Sequence, residues 1–141
     1  MNVLVDTSVW SLALRRDAGK LSAFEHAIRR DLADLTVDIR ARMVGPIRQE
    51  LLSGVRNAAQ FRALRDNLRE FQDEPVAVED WEAAAESNNV CRAAGISGSA
   101  VDFLLCAVAI RRNWEIFTTD NDFQHYARVL PVRLRAQPRR N

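Results

Sequence analysis

Hydrophobic positions along the chain change period several times, and each change marks an element. Val3, Leu4 and Val5 form a β-branched-rich apolar run too short for a buried helix and typical of a central parallel strand. Val9 to Leu14 then reads as a short helix, and Leu21, Phe24, Ala27 and Ile28 recur at amphipathic helical spacing. Residues 33 to 42 are polar and carry no clean period. Met43-Val44 is a short apolar step before Gly45-Pro46, where proline suits the first turn of a helix carrying Ile47, Leu51 and Leu52 and closed by Gly54. A further helix runs through Phe61, Leu64 and Leu68, a short strand is expected around Pro75 to Val78, and residues 79 to 94 return to a helical pattern. Gly95-Ile96-Ser97-Gly98-Ser99 reads as a loop.

Ala100 to Arg112 is apolar on most sides, as expected of a central, buried helix. Glu115 to Thr118 reads as a strand, Asp122 to Ala127 as a short helix, and Val129 to Val132 as a last strand. This alternation predicts a single α/β domain over residues 1–134, with a mostly parallel central sheet and helices on both faces, followed by a basic tail at 135–141. A chain of 141 residues buries about two thirds of its unfolded surface, enough to stand without disulfides.

Composition narrows the chemistry. The only cysteines, Cys91 and Cys106, form no C-x-x-C pair and have no histidine at ligand spacing, so both are expected to pack as small hydrophobes. No basic segment precedes the first apolar run and no stretch approaches 18 apolar residues, so neither a signal peptide nor a membrane span is expected, and a reducing cytoplasm fits best. The net charge is +1, yet 19 of the 20 basic residues are arginine. Arginine's planar fork suits phosphate, which makes the doublets Arg15-Arg16, Arg111-Arg112 and Arg139-Arg140 candidates for nucleic-acid contact.

The acids then stand out by position. Asp6 ends the first strand, where open α/β sheets bind ligands, although Asp6, Thr7 and Ser8 are also all helix-capping types. Glu50 lies on the helix opened by Pro46. Asp102 sits in the first turn of the most apolar helix, where a charge either caps the helix or binds something. Asp120 and Asp122 follow the strand that ends at Thr118. Carboxylates delivered by separate elements to one rim form an oxygen cup suited to Mg2+ or Mn2+, left open for a phosphodiester. Without the ion they repel one another, so the empty cup is expected to hold protons more readily and the fold to gain stability from metal.

At these residues the chain resembles a PIN-domain ribonuclease, specifically a VapC-type toxin of a bacterial toxin–antitoxin pair. The resemblance rests on Val-Asp-Thr-Ser-Val-Trp at 5 to 10, Gly-Pro-Ile-Arg-Gln-Glu-Leu-Leu-Ser-Gly at 45 to 54, Ala-Val-Asp-Phe at 100 to 103 and Thr-Thr-Asp-Asn-Asp-Phe at 118 to 123. It implies Asp6, Glu50, Asp102 and Asp120 as catalytic acids, Asp6, Asp102, Asp120 and Asp122 as metal ligands, and Ser8 and Thr118 as hydrogen-bonding support. It further implies an Mg2+- or Mn2+-dependent endoribonuclease acting on tRNA or rRNA, a homodimer, and inhibition by a VapB-type antitoxin lying in a groove near the early helices. Trp10 is a candidate for that groove, with core packing as the competing role.

Other functions fit less well. A receiver domain needs a lysine at a late strand end, and the only lysine is Lys20; an aspartyl phosphatase needs Asp-x-Asp, and Ser8 stands at the second position. A serine elbow needs glycine where Ser99 stands. An EF-hand starting at Asp120 needs glycine where His125 stands. The remaining alternative is a non-catalytic PIN-like module that binds RNA or protein.

Overall fold

In the computed structural model, which describes residues 1–14 and 17–140, four short strands form one sheet. They are β1 (Val3–Val5), β2 (Ala41–Arg42), β3 (Glu115–Phe117) and β4 (Arg133–Leu134), in the order β2-β1-β3-β4. Every pairing is parallel, so the expected mostly parallel sheet is wholly parallel. Parallel neighbours require crossovers, and helices supply them. These are α1 (Thr7–Leu14), α2 (Ala23–Val37), α3 (Gly45–Ser53), α4 (Ala58–Leu68), α5 (Val78–Ala93), α6 (Ala100–Arg112) and α7 (Asp122–Tyr126). The three residues of β1 are fully buried, as an interior parallel strand demands. In α6, every residue from Phe103 to Ala109 is buried.

The register Val5↔Phe117 sets the ends of β1 and β3 side by side, and the amide of Asp6 donates to the Phe117 carbonyl at 2.9 Å. The chain segments that follow both strands therefore start from one rim of the sheet. Cys91 and Cys106 are buried and unpaired, as small core residues. No helix among the described residues is long and apolar enough to cross a membrane.

Three expected boundaries move. The unpatterned stretch 33–42 is the end of α2, a turn and β2. There the spacing of Ile28, Leu32 and Leu35 carries the buried face on, and the helix stops at Ile39 with φ of +58°. The amide of Arg40 reaches back to the Leu35 carbonyl at 2.8 Å, a Schellman closure made without the customary glycine. No strand forms at Pro75 to Val78. The chain makes a single parallel bridge, Met43↔Asp73, and the next backbone groups go elsewhere: the Pro75 carbonyl accepts from Arg112 and the Ala77 amide donates to Asp80. The last strand is Arg133–Leu134, not Val129 to Val132, because the turn after α7 continues to Leu130, whose amide donates to the Tyr126 carbonyl at 2.9 Å.

Residues expected as a tail make contacts of their own. The Arg135 amide donates to the Ile116 carbonyl at 2.8 Å, and its guanidinium forks onto Asp31 at 2.9 and 3.0 Å. The Gln137 side-chain amide donates to the Thr118 carbonyl, and Arg140 lies over the Phe24 ring at 3.9 Å.

Candidate active site

Asp6 leaves β1 and starts α1, its carbonyl accepting from the amides of Val9 and Trp10 at 3.1 and 3.2 Å. Its side chain is nearly buried, at 6% exposure, which requires hydrogen-bonding partners. All of those found among the described residues fall on one oxygen: Oδ2 accepts from the hydroxyls of Ser8 and Thr118, both at 2.8 Å, and from the Ser8 amide at 3.4 Å. Ser8 Oγ accepts from the Thr119 amide at 3.0 Å, and Thr118 Oγ1 accepts from the Asp120 amide at 3.0 Å. Two hydroxyls thus tie the end of β1 to the end of β3 and leave Asp6 Oδ1 free of these donors.

Asp102 arrives from α6, whose N-cap Ser99 accepts the Asp102 amide at 3.1 Å. Its carboxylate Oδ2 accepts from the Tyr126 hydroxyl at 2.6 Å. Burial pushes the Asp102 carboxyl above the usual range; the Tyr126 bond opposes this, and the charges of Asp6 and Asp120 add to the rise. Burial and the Asp102 carboxylate push the Tyr126 hydroxyl far above its ordinary value, so at neutral pH it keeps its proton and donates it to Asp102.

Asp120 follows β3 on an exposed turn closed by its own Oδ1, which accepts the Asp122 amide at 2.9 Å. Asp102, Asp120 and Asp122 each present an oxygen within 4.8 Å of the other two. Opposite ligands of an octahedral Mg2+ stand about 4.2 Å apart, twice its bond length, so these oxygens can share one ion after small rotations. The hard, all-oxygen donor set fits Mg2+ or Mn2+. No ion pair among the described residues engages Asp6, Asp102, Asp120 or Asp122, so their charge is not neutralised by arginine.

Asp6 stands outside the group of three, coupled to it through Thr118 and through its charge on Asp102. Glu50 is exposed on α3 and also outside that group. Two of the arginine doublets change meaning. Arg111 and Arg112 converge on the buried Asp80 at 2.6 and 3.0 Å, so they serve the fold. Arg140 covers Phe24, and Arg15-Arg16 lies outside the described residues. Trp10 belongs to the core: it is 1% exposed, donates to the Val5 carbonyl at 3.1 Å and meets the Phe71 ring edge-on at 4.9 Å.

Sequence reading missed Tyr126. Its signal was available: a tyrosine one helical turn after Asp122, in a helix whose other apolar anchor is Phe123, must bury its ring and find a partner for its hydroxyl.

A parallel α/β domain whose strand ends and one helix start bring carboxylates free of arginine pairing, among the described residues, to one rim carries there the donor set of a divalent-cation site. The chain belongs to the PIN domain family, whose model matches residues 3–129. No curated protein matches its sequence. Among solved structures it is similar to FitAcB from Neisseria gonorrhoeae, with a TM-score of 0.74 and 18% identity over 95% of this chain and 96% of that one. It is also similar to VapBC2 from Rickettsia felis, crystallised with a fragment of its promoter DNA (TM-score 0.69, 15% identity, 96% and 98% covered). A third is VapBC-5 from Mycobacterium tuberculosis, of the VapBC toxin–antitoxin family (TM-score 0.66, 19% identity, 96% and 100% covered).

Proposed function

We propose that this PIN domain is the VapC-type toxin of a toxin–antitoxin pair, a metal-dependent endoribonuclease that hydrolyses phosphodiester bonds in tRNA or rRNA. The observation that carries the reading is the meeting of Asp102, Asp120 and Asp122 at the rim where Asp6 also ends its strand, with no arginine pairing any of the four among the described residues. Such an arrangement costs electrostatic energy unless a cation answers it.

In this reading Asp6, Asp102, Asp120 and Asp122 hold Mg2+ or Mn2+. The ion supplies Lewis-acid polarisation of the phosphate and a more acidic bound water. Asp6 is fixed by Ser8 and Thr118, so one of its oxygens is committed to the protein and the other is available to the site. Asp102 is oriented by Tyr126. Glu50, on α3 and exposed like Asp120 and Asp122, is assigned to the catalytic set through the motif Gly-Pro-Ile-Arg-Gln-Glu-Leu-Leu-Ser-Gly at 45 to 54 that carries the family resemblance. The full-length likeness to FitAcB and the VapBC proteins supports a VapB-type antitoxin as partner; a homodimer is carried into the proposal from the motif resemblance alone.

The test is incubation with total cellular RNA, with and without Mn2+, beside the Asp102→Asn variant, with new 5′ ends mapped by sequencing. Discrete 5′-phosphate ends that need both the ion and Asp102 are expected. Equal binding of RNA by both proteins with no new ends would assign the chain to the non-catalytic, RNA-binding alternative.

A further inference from the structure

The geometry points to Tyr126, seated by Gly98, as the positioning residue that fixes the carboxylate of Asp102 for metal binding. This rests on the metal-site reading above and adds a part to it. Tyr126 is the only tyrosine in the chain and is fully buried. Its ring is packed by Phe103, with centroids 5.1 Å apart, and by Phe123, at 5.2 Å. A phenylalanine would satisfy that packing equally well. The hydroxyl is the difference, and its hydrogen bond goes to Asp102 Oδ2 at 2.6 Å. A buried hydroxyl is costly unless bonded, so the pair is mutually required.

Gly98 closes the remaining side. A Cβ there would stand 2.4 Å from the Tyr126 hydroxyl oxygen and 2.8 Å from two ring carbons, closer than any real contact. The Tyr126 ring and hydroxyl thus occupy the space that any side chain at position 98 would need, so glycine there is what lets the hydroxyl reach Asp102. That matters because Asp6 and Asp120 both repel the Asp102 charge and would favour a rotamer turned away from the cluster. A neutral donor offsets this repulsion in part without competing for the ion, as an arginine would.

One experiment needs no substitution. Protein grown with 3-fluorotyrosine carries one fluorine reporter, at position 126. Titration with Mg2+ is expected to move its single 19F resonance along the same saturation curve as calorimetric binding. Calorimetry with Mn2+ on Tyr126→Phe and Gly98→Ala is expected to give binding weaker by roughly tenfold or more, the usual effect of losing a partner that orients a ligand. Cleavage by either variant is expected to recover toward the wild-type kcat at saturating Mn2+, with the loss confined to the apparent metal constant. A purely structural tyrosine predicts a lower melting temperature with unchanged metal affinity. An unmoved fluorine resonance at saturating metal, or a folded Tyr126→Phe protein that binds Mn2+ like the wild type, overturns the inference. Failure of the wild type itself to bind either metal would sink the metal-site reading as well, so the two are separable.

Discussion

Ile39 holds the least comfortable backbone among the described residues. It sits at φ +58°, where a β-branched side chain clashes with the following carbonyl, and it is 75% exposed, so little packing compensates. Ile39→Gly is expected to stabilise the protein by about 0.5 to 1 kcal/mol, after glycine's larger unfolded-state entropy is deducted from the strain relieved. Urea denaturation measures it, and a loss of stability would show that Ile39 makes a contact worth more than its strain. Asp80 is the opposite case, fully buried and well satisfied. The Arg112 guanidinium, aided by the Ala77 amide and Arg111, holds its carboxyl well below the usual range against the cost of burial. A carboxyl whose folded pKa is depressed contributes stability above its unfolded pKa and loses it as pH falls through the folded one. Asp80→Asn is therefore expected to cost about 2 to 3 kcal/mol near neutral pH, because the buried position then offers Arg112 and Arg111 one neutral acceptor oxygen in place of a carboxylate. The variant should also lose less stability than the wild type on acidification from about pH 4 to pH 2.

At the scale of elements, three helices end by one device. After α2, α5 and α6 the residues Ile39, Gly95 and Asn113 take φ values of +58°, +76° and +60°. The next amide in each case, Arg40, Ile96 or Trp114, returns to a carbonyl five residues back. Glycine and asparagine announce such a stop in sequence; isoleucine does not, which is why the end of α2 and the start of β2 were illegible. The connection between α4 and α5 is likewise governed from afar. Arg48 on α3 donates to the Leu68 carbonyl at 2.7 Å and the Phe71 carbonyl at 2.5 Å, and Arg112 on α6 binds Glu74 and the Pro75 carbonyl, each at 2.9 Å. Backbone groups occupied in this way cannot form a ladder, so the strand expected at Pro75 to Val78 has no partner to pair with. The arginines that composition offers to a nucleic acid are, in these cases, internal braces.

For the whole molecule, the sheet order places two loops and one helix start at the same rim, and a divalent ion is the agent expected to join them. Mn2+ at a hundredfold excess over its Kd should stabilise the fold by about 2.7 kcal/mol, or roughly 5 to 10 °C in Tm. A melting curve with Mn2+, repeated after EDTA, checks this. No shift for the wild type at millimolar metal would count against the cation site, and a full shift in an Asp102→Asn, Asp120→Asn double variant would place the ion elsewhere.

Local chemistry alone determined much of this protein. The run Val3 to Val5, the proline at α3, the apolar length of α6 and the acids at element boundaries follow from period, capping and charge, which act between near neighbours. Asp6, Asp102, Asp120 and Asp122 stood out as candidates for that reason, whereas Ser8 and Thr118 were named as hydrogen-bonding support only through the family resemblance. Tertiary structure decided which of them meet: Asp102, Asp120 and Asp122 share one opening, Asp6 joins through Thr118, and Glu50 remains exposed on α3. It also decided the partner of Tyr126, the task of Arg112 and the burial of Trp10. Those outcomes depend on strand register and helix packing, which bring together residues as much as 112 positions apart, as in the bond between Thr118 and Asp6. No pattern read within one turn or one strand contains that distance.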